Sequence, residues 1–240
     1  MSEKAKPIWP VTSALYRLLP NQSRKELLIR RAASHLCECT LSFPADISKA
    51  TKAIVVMPYD PFEALFYLRT VSWMVENLSK AGAVTVVCEE ELLPYFSSLE
   101  GRIEMVTYRR KQLVPFSSAS ERLNAELSGK DHDICFLLES CPDPGLLIAT
   151  AACGAPVRIG FTSQDAVPFV NVAVVPPAEG GNVPARDAWI AAAMGMKTRP
   201  KSRWAVSKDA SESVSALLRE KGLTTKEPLI GLDAGLFVGL

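Results

Sequence analysis

The strongest constraint on the fold of this 240-residue chain is a regular alternation that begins at residue 52. Short apolar runs rich in β-branched residues alternate with longer segments in which apolar residues recur at helical spacing. Strands that alternate with helices pair in parallel through right-handed crossovers, so the pattern predicts an α/β fold with an open, doubly wound, mostly parallel sheet. The predicted buried strands are 52–58, 83–89, 102–108, 132–140, 155–161 and 170–177.

The composition and charge of the chain are those of an ordinary globular protein. Apolar residues make up 48% of the sequence, and a chain of this length can form a core without disulfides or metals. The 27 basic and 26 acidic residues nearly cancel, so we expect no nucleic-acid partner. No run reaches the roughly 18 apolar residues of a membrane span, and the N-terminus lacks the apolar core of a signal peptide. The sequence therefore predicts a cytoplasmic protein.

Six cysteines occur, without a CxxC pair and with only two histidines that could complete a metal site. A structural zinc ion needs about four ligands, so we predict neither a bound metal nor a resident cofactor. Most of the cysteines lie in apolar runs, where a thiol behaves as a small hydrophobic group. In a reducing cytoplasm we expect free thiols rather than disulfides.

The alternation divides the chain into three segments. Residues 1–50 form a basic preamble of two short amphipathic helices that Pro20 separates. This preamble either lies on an anionic membrane surface, through residues 1–35, or packs on the side of the domain with its Lys and Arg side chains solvated. Residues 51–196 form the Rossmann-like domain. Residues 197–240 comprise a basic linker, a helix and the start of a further strand.

The nucleotide-binding and hydrolase motifs that accompany many α/β folds do not occur. There is no GxGxxG after a strand, no GxxxxGK[ST] and no GxSxG elbow. With His35 and His132 as the only histidines, a Ser-His-Asp triad is poorly supported. We expect His132, at the start of a predicted strand, to be solvated or to cap an element. Functional residues are therefore expected in the loops at the carboxyl ends of the strands, where open α/β sheets bind ligands.

The segment that follows the first strand carries two carboxylates. Asp60 is a good N-cap, Pro61 fits the first helical position, and Glu63 completes a capping box. A carboxylate at this edge of a parallel sheet can instead accept a proton from an attacking hydroxyl group. The residues alone leave both interpretations open, so Asp60 and Glu63 are also candidate catalytic bases.

The turn after the fourth predicted strand is also polar. Glu139 and Asp143 flank Cys141 in this turn. Glu139 is a candidate pocket-lining residue, and Asp143 either lines the same pocket or caps the following helix. Cys141 is reactive only if a base or a helix terminus lowers the pKa of its thiol.

Several segments, taken in order, resemble one known family. GAPVRIGF at 154–161 and PFVN at 168–171 are similar to a signature of the bacterial lipopolysaccharide heptosyltransferases, glycosyltransferase family nine. DICFLLES at 133–140 resembles the strand that precedes this signature. EPLIGLDAG at 227–235 resembles the opening strand of the family's second domain. The resemblance covers roughly residues 52–235.

The resemblance implies a GT-B fold, in which two Rossmann-like domains face each other across a cleft. It implies that the N-terminal domain binds a lipid-linked sugar acceptor at the cytoplasmic face of the membrane. The second domain would bind a nucleotide-sugar donor, which is a substrate and not a cofactor. The implied transfer is inverting and metal-independent. Glu63 takes the place of the family's catalytic aspartate, Asp60 is a weaker substitute, and Arg158 contacts a phosphate or carboxylate of the acceptor.

Two features depart from the family's pattern. The family's first loop is built of small residues, as in SSLGD, whereas this chain has Tyr59 and Phe62 there. These bulky side chains narrow the space for an acceptor and make Tyr59 a candidate substrate contact. The sequence also stops at Leu240, just inside the expected donor domain.

Two hypotheses about function follow from these departures. In the first, the chain is the acceptor-side half of a transferase whose donor domain comes from a partner chain or lies beyond a truncation. In the second, it is a degenerate, non-catalytic relative that acts as a structural or binding subunit. Its apolar C-terminal strand would then pair with a partner chain or with a second copy.

Overall fold

The computed structural model describes residues 12–33, 50–77, 83–161, 168–174 and 208–223. The chain divides into two units, Met1–Arg203 and Trp204–Leu240, and each is considered by itself. The strand predicted at 227–235 lies outside the described residues, as do Cys37 and Cys39.

Within the described residues of the first unit, six parallel strands form one sheet. The order across the sheet is β3-β2-β1-β4-β5-β6, and every neighbouring pair is parallel. The strands are β1 Ala53–Val56, β2 Val84–Glu89, β3 Glu104–Tyr108, β4 Ile134–Leu137, β5 Val157–Phe161 and β6 Val172–Val174. The predicted α/β fold with a doubly wound parallel sheet is confirmed.

Helices alternate with the strands as the sequence pattern predicts. The α-helices of this unit are α1 Ser13–Leu18, α2 Asn21–Ala33, α3 Pro61–Asn77, α4 Ser118–Leu127 and α5 Pro144–Ala152. Glu90–Leu99 and Arg110–Gln112 are 3₁₀ helices. The first of these contains Pro94, which has no N–H to donate and therefore interrupts α-helical hydrogen bonding.

The sheet is buried on both faces, which explains why its strands are continuous apolar runs in the sequence. Alternate residues of β1 point to opposite faces, so Ala53 and Val55 join one core while Ile54 and Val56 join the other. The helix α3 and the 3₁₀ helix that begins at Glu90 cover the first face. The helices α2, α4 and α5 cover the second face.

The described part of the preamble belongs to the second core. Tyr16 and Leu28 are buried there, and α2 lies against α5. Arg31 forms an ion pair with Glu121 of α4 at 2.6 Å. For α2, the structure therefore shows packing on the side of the domain, which is one of the two arrangements expected from the sequence. In α1, by contrast, Leu18 is 81% exposed.

The described part of the second unit is α6, Lys208–Glu220, with the turn that follows it. Val214 and Leu217 are spaced for one helical face, and both are more than half exposed. The helix ends at Gly222, whose φ of 72° is a left-handed conformation that glycine adopts without strain. None of the described helices of the chain is long and apolar enough to cross a membrane.

His132 is buried rather than solvated, which corrects the expectation from the sequence. It is 5% exposed, and its Nε2 lies 3.0 Å from the Oγ1 of Thr85 on β2. Thr85 also donates its hydroxyl to Glu104 on β3, and Glu104 pairs with Lys130 at 2.5 Å. Among the described residues, Nδ1 of His132 has no hydrogen-bond partner. Burial, with a smaller effect of the Lys130 charge, lowers the pKa of His132.

The burial of His132 makes stability depend on pH. Because the pKa of His132 lies below 6.5 in the folded protein, the unfolded chain binds this proton more readily. The stabilisation is complete above about pH 6.5, and the free energy of unfolding falls as the pH decreases below that value. The other charges that act on the ring belong to two lysines and two carboxylates: Lys130, Glu104, Lys52 and Asp133.

We predict that His132→Asn removes most of the decrease in unfolding free energy between about pH 7.5 and pH 5.5. The free energy of unfolding of both chains is measured by urea titrations at a series of pH values. If the variant loses stability as steeply as the original chain, another group is responsible.

Candidate functional site

The strand order reverses between β1 and β4, and this reversal defines the candidate site. From β1 the sheet continues to β2 and β3, and from β4 it continues to β5 and β6. The loops that follow β1 and β4 therefore diverge and leave a crevice at the carboxyl edge, where open α/β sheets bind ligands. Contacts join three loops there: residues 57–60 after β1, 109–117 after β3 and 138–143 after β4.

Asp60 and Glu63 lie at the start of α3, at this edge of the sheet. The Oδ1 of Asp60 accepts a hydrogen bond from the backbone N–H of Glu63 at 2.9 Å. Asp60 is therefore the N-cap that the sequence predicts. Its side chain is exposed, and that of Glu63 is half-buried. Phe62 between them is 54% exposed and meets Phe66 edge-on, with 5.0 Å between the ring centroids.

Glu139 joins the loops that follow β1 and β4. Its Oε2 accepts the backbone N–H of Tyr59 at 2.9 Å, and its Oε1 accepts the backbone N–H of Cys141 at 2.8 Å. The residue is only 8% exposed, so these hydrogen bonds compensate the loss of water around a carboxylate. Glu139 thus lies in the candidate site, where it holds backbone from both loops.

Tyr59 fills the space between the three loops. Its hydroxyl accepts a hydrogen bond from the backbone N–H of Asp143 at 3.2 Å, and its ring meets Tyr108 edge-on at 6.3 Å. The guanidinium carbon of Arg110 lies 3.9 Å from the ring centroid, within the range of a cation–π contact. Burial raises the pKa of the Tyr59 phenol, so this hydroxyl stays protonated at neutral pH. The predicted contact between Tyr59 and a substrate stays a prediction.

A basic loop after β3 contributes side chains that were not predicted from the sequence. Arg110 donates from Nε to Oδ2 of Asp143 at 2.8 Å, and from its backbone N–H to Glu89 at 3.3 Å. The hydrogen bond with Asp143 raises the pKa of Arg110. Arg109 pairs with Glu90 at 2.7 Å. This loop therefore brings two guanidinium groups to the carboxyl edge of the sheet.

The pattern that marks this loop is present in the sequence. Residues 109–111 are three consecutive basic residues, and they directly follow the strand predicted at 102–108. Asp143, the ion-pair partner of Arg110, occupies the N-cap position of α5, which is one of the two roles that the sequence predicted for it. Its carboxylate makes no capping hydrogen bond, however, and binds Arg110 instead. A run of charges directly after a strand was thus the feature that could have revealed the site.

Arg158 lies away from this cluster. It is the second residue of β5, about 10 Å along the strand from the carboxyl end at Phe161. It is 6% exposed, and its Nε and Nη1 donate to the carbonyls of Phe169 and Ala155, each at 2.7 Å. A contact between Arg158 and an acceptor therefore stays a prediction from the family resemblance.

The cluster combines proton acceptors with anion-binding groups. The carboxylates of Asp60 and Glu63 can accept a proton from a hydroxyl group. The side chains of Arg110 and Lys111 can bind a phosphate or carboxylate. In the described part of the chain, no group of His, Cys, Asp and Glu side chains could hold a metal ion. The arrangement suits a ligand that carries both hydroxyl groups and negative charge.

Comparison with solved structures finds the same fold in glycosyltransferases. A glycosyl transferase family 9 protein from Veillonella parvula DSM 2008 aligns with a TM-score of 0.57 at 13% sequence identity, over 76% of this chain and 53% of that chain. The E. coli heptosyltransferase WaaC aligns with a TM-score of 0.48 at 12% identity, over 64% of this chain. The match covers 51% of the WaaC chain solved with ADP-2-deoxy-2-fluoro heptose and 50% of the chain solved with ADP. No family model and no curated protein sequence matches.

The fold is that of one half of a GT-B glycosyltransferase. The parallel sheet and its strand order agree with this assignment, as does the alignment with the Veillonella structure. The similarity in fold to family nine that the sequence predicted is thereby confirmed. The chain spans about half of the length of the solved structures that it matches.

We predict that Glu139→Gln destabilises the protein. The amide NH₂ cannot accept a hydrogen bond, so one of the two part-buried N–H groups, of Tyr59 or Cys141, loses its partner. The free energy of unfolding should fall by about 1–3 kcal/mol in urea titrations. Glu126→Gln on the exposed side of α4 is the matched control and should change it by less than about 0.5 kcal/mol. Equal stability of the two variants would refute the bridging role of Glu139.

Proposed function

We propose that this chain is the acceptor-side part of a GT-B glycosyltransferase similar to the lipopolysaccharide heptosyltransferases. The observation that carries the proposal is the pair of carboxylates, Asp60 and Glu63, at the switch point of a sheet with the fold of a family 9 glycosyl transferase. The proposed reaction transfers a sugar from a nucleotide-sugar donor to a hydroxyl group of a lipid-linked acceptor.

In this proposal Glu63 is the general base. As the acceptor oxygen attacks the anomeric carbon, Glu63 takes the hydroxyl proton, and the bond between that carbon and the nucleotide diphosphate breaks. The configuration of the sugar inverts because attack and departure occur on opposite faces. A well-placed base contributes about 10²–10⁴-fold to such a rate. Asp60 is a weaker substitute, because one of its oxygens caps α3.

Negative groups on the acceptor are bound by the basic loop after β3. Arg110 is held over the ring of Tyr59, and Lys111 next to it is exposed. A guanidinium group that is already oriented loses little side-chain entropy when an anion binds. A phosphate or carboxylate of the acceptor would therefore replace the Asp143 carboxylate as the ion-pair partner of Arg110.

The donor site requires a second domain. A single GT-B half cannot hold donor and acceptor in reacting geometry, and most of the rate enhancement depends on that positioning. We propose that a partner chain or a further part of the same protein supplies this domain, and that the 240 residues alone are inactive. The nucleotide-sugar is a substrate, so the proposal includes no resident cofactor.

A lipid-linked acceptor places the reaction at the cytoplasmic surface of a membrane. We propose that residues 1–35 make a peripheral contact with anionic lipids there. In the described part of this segment, the exposed Leu18 lies next to the basic Arg17 in α1. An apolar side chain flanked by basic charge favours the interface of an anionic bilayer.

Glu63→Gln provides the test of the catalytic role. The variant keeps the size of the side chain but cannot accept the proton, so we expect turnover in the competent two-domain assembly to fall by about 10²–10⁴-fold. The assay measures sugar transfer from a nucleotide-sugar to a lipid-linked acceptor. Glu76→Gln at the exposed end of the same helix is the control and should keep full activity. Unchanged turnover in Glu63→Gln would remove Glu63 from the mechanism.

A second function is favoured by one observation, the way in which Tyr59 fills the crevice. Its ring and hydroxyl contact Arg110, Tyr108 and Asp143, so the loops are tied together where an acceptor would enter. A crevice closed in this way suits a non-catalytic subunit that binds other proteins. In this alternative the chain assembles with a partner, or with a second copy, through the strand that the sequence predicts at its C-terminal end.

Deletion of residues 228–240 tests this alternative. The segment is apolar, and an unpaired apolar strand favours pairing with another chain. We expect the deletion to weaken assembly by at least about tenfold in dissociation constant, as measured by native mass spectrometry over a concentration series. A control chain that lacks residues 1–6 should assemble as before. A shortened chain that assembles normally and stays soluble would count against the alternative.

A further inference from the structure

The two helices that flank the crevice begin with the same pair of residues. Asp60-Pro61 starts α3 after β1, and Asp143-Pro144 starts α5 after β4. Proline at the first helical position and aspartate before it are residues that a helix N-terminus favours. The Asp60 carboxylate makes the expected cap, because its Oδ1 accepts the N–H of Glu63, three residues along the chain, at 2.9 Å. Asp60 thus shows the ordinary arrangement of an aspartate at this position.

The Asp143 carboxylate is turned away from its own helix. Its Oδ2 accepts a hydrogen bond from Nε of Arg110 at 2.8 Å instead of capping α5. The N–H of Leu146, which a capping carboxylate would accept, donates to the backbone carbonyl of Asp143 at 2.9 Å. The backbone of Asp143 nevertheless has the extended conformation of an N-cap residue, with φ −65° and ψ 151°. A rotation of the side chain alone would therefore make the cap.

The two arrangements of the Asp143 side chain are close in free energy. Its ion pair with Arg110 is exposed, since 47% of the arginine side chain and 37% of the aspartate side chain are accessible to solvent. An exposed pair of this kind stabilises a protein only slightly, and an N-cap hydrogen bond contributes a similar amount. Loss of the ion pair is therefore offset when the carboxylate caps α5.

Two other carboxylates near the crevice are held by backbone N–H groups. Both oxygens of the buried Glu139 accept such groups, and Oε1 of Glu89 accepts the N–H of Arg110 at 3.3 Å. The guanidinium carbon of Arg110 lies 3.9 Å from the centroid of the Tyr59 ring, and this contact orients the group. Asp143 is therefore the partner that an incoming anion can displace from an arginine that is already oriented.

We propose that Asp143 is an internal competitor at the basic loop after β3 and that it makes this loop select phosphate groups over carboxylates. A phosphate group takes the place of the Asp143 carboxylate on Arg110, and that carboxylate turns to cap α5 as Asp60 caps α3. This selection rests on the proposed function, in which the same loop binds the acceptor. It identifies the acceptor as a molecule that presents a phosphate group to Arg110.

The selection follows from charge and from covalent attachment. A carboxylate ligand carries the same single charge as Asp143, which the chain holds beside Arg110 at a high effective concentration. Such a ligand gains nothing from the exchange. A phosphate group carries about 1.5–2 negative charges at pH 7 and three acceptor oxygens. It can therefore bind Arg110 and the exposed Lys111 next to it at the same time.

Titration of the 240-residue chain with inorganic phosphate tests the competition. Binding is followed through the NMR signal of the Arg110 Nε–H at constant ionic strength, and acetate is the carboxylate probe. We expect phosphate to bind at least about tenfold more tightly than acetate. Asp143→Asn removes the competing charge and should strengthen phosphate binding by about three- to tenfold. Weaker or unchanged phosphate binding in this variant would overturn the proposal, as would equal binding of the two probes by the original chain.

Asp60→Asn is the matched control for the loss of a charge. It removes the same charge at the start of the neighbouring helix, and asparagine can cap a helix as aspartate does. Because exposed charges are screened, it should change the dissociation constant for phosphate by less than about twofold. An equal gain in the two variants would show a general effect of charge and would overturn the proposed competition. In an Arg110→Gln background, Asp143→Asn should no longer strengthen phosphate binding.

The turn of the Asp143 carboxylate is followed at the backbone N–H of Leu146 by NMR. Saturating phosphate should shift this amide signal in the original chain, because the N–H acquires a carboxylate acceptor. Asp143→Ala leaves Arg110 able to bind phosphate but cannot cap α5, so the shift should be absent there. Equal shifts in the two chains would overturn the capping step. Turnover of Glu63→Gln is a separate measurement, so unchanged turnover alongside the expected phosphate results would refute the proposed base and leave the competition standing.

Discussion

The buried carboxylate of Glu139 is the interaction on which the geometry of the candidate site depends. Tyr59 and Glu139 are 80 residues apart in the chain, yet they meet because β1 and β4 pair in the sheet. Loops that diverge at a switch point have no backbone ladder to hold them together. Glu139 supplies that connection with one oxygen to each segment. Tyr59 is thereby fixed, and Arg110 and Asp143 take their positions against its ring and hydroxyl.

The fold was accessible from the sequence because most of its determinants are local. Each strand is a short β-branched run, and the Asp60-Pro61 pair marks the start of α3 through the chemistry of a helix N-terminus. The parallel arrangement follows from the alternation of strands and helices. Local patterns did not predict that the helix after β2 is a 3₁₀ helix rather than an α-helix. Pro94 breaks the α-helical hydrogen bonds of that segment while its apolar spacing still suggests a helix.

The candidate site was only partly accessible, because its contacts join residues that are distant in the chain. The Asp143 carboxylate looked like a helix cap, and its true partner Arg110 lies on a different loop. The same limit explains why the burial of His132 was not predicted. Its side chain is polar, but it is buried because β2 and β3 place Thr85 and Glu104 beside it. Polarity can be read from a sequence, whereas burial is decided by the elements that pack on either side.

The contacts that order the site also oppose binding in it. If an acceptor enters the crevice, Tyr59 has to give up its cation–π contact with Arg110 and its hydrogen bond with Asp143. These contribute about 0.5–1 and about 0.5–1.5 kcal/mol, so affinity falls by roughly five- to seventyfold. An anionic acceptor offsets part of this loss, because it can replace Asp143 beside Arg110 and the ion pair is exchanged rather than broken. A neutral ligand has no such compensation. The ion pair between Arg110 and Asp143 therefore behaves differently in the two proposed functions. It opens in a transferase that binds a charged acceptor, and it stays closed in a structural subunit.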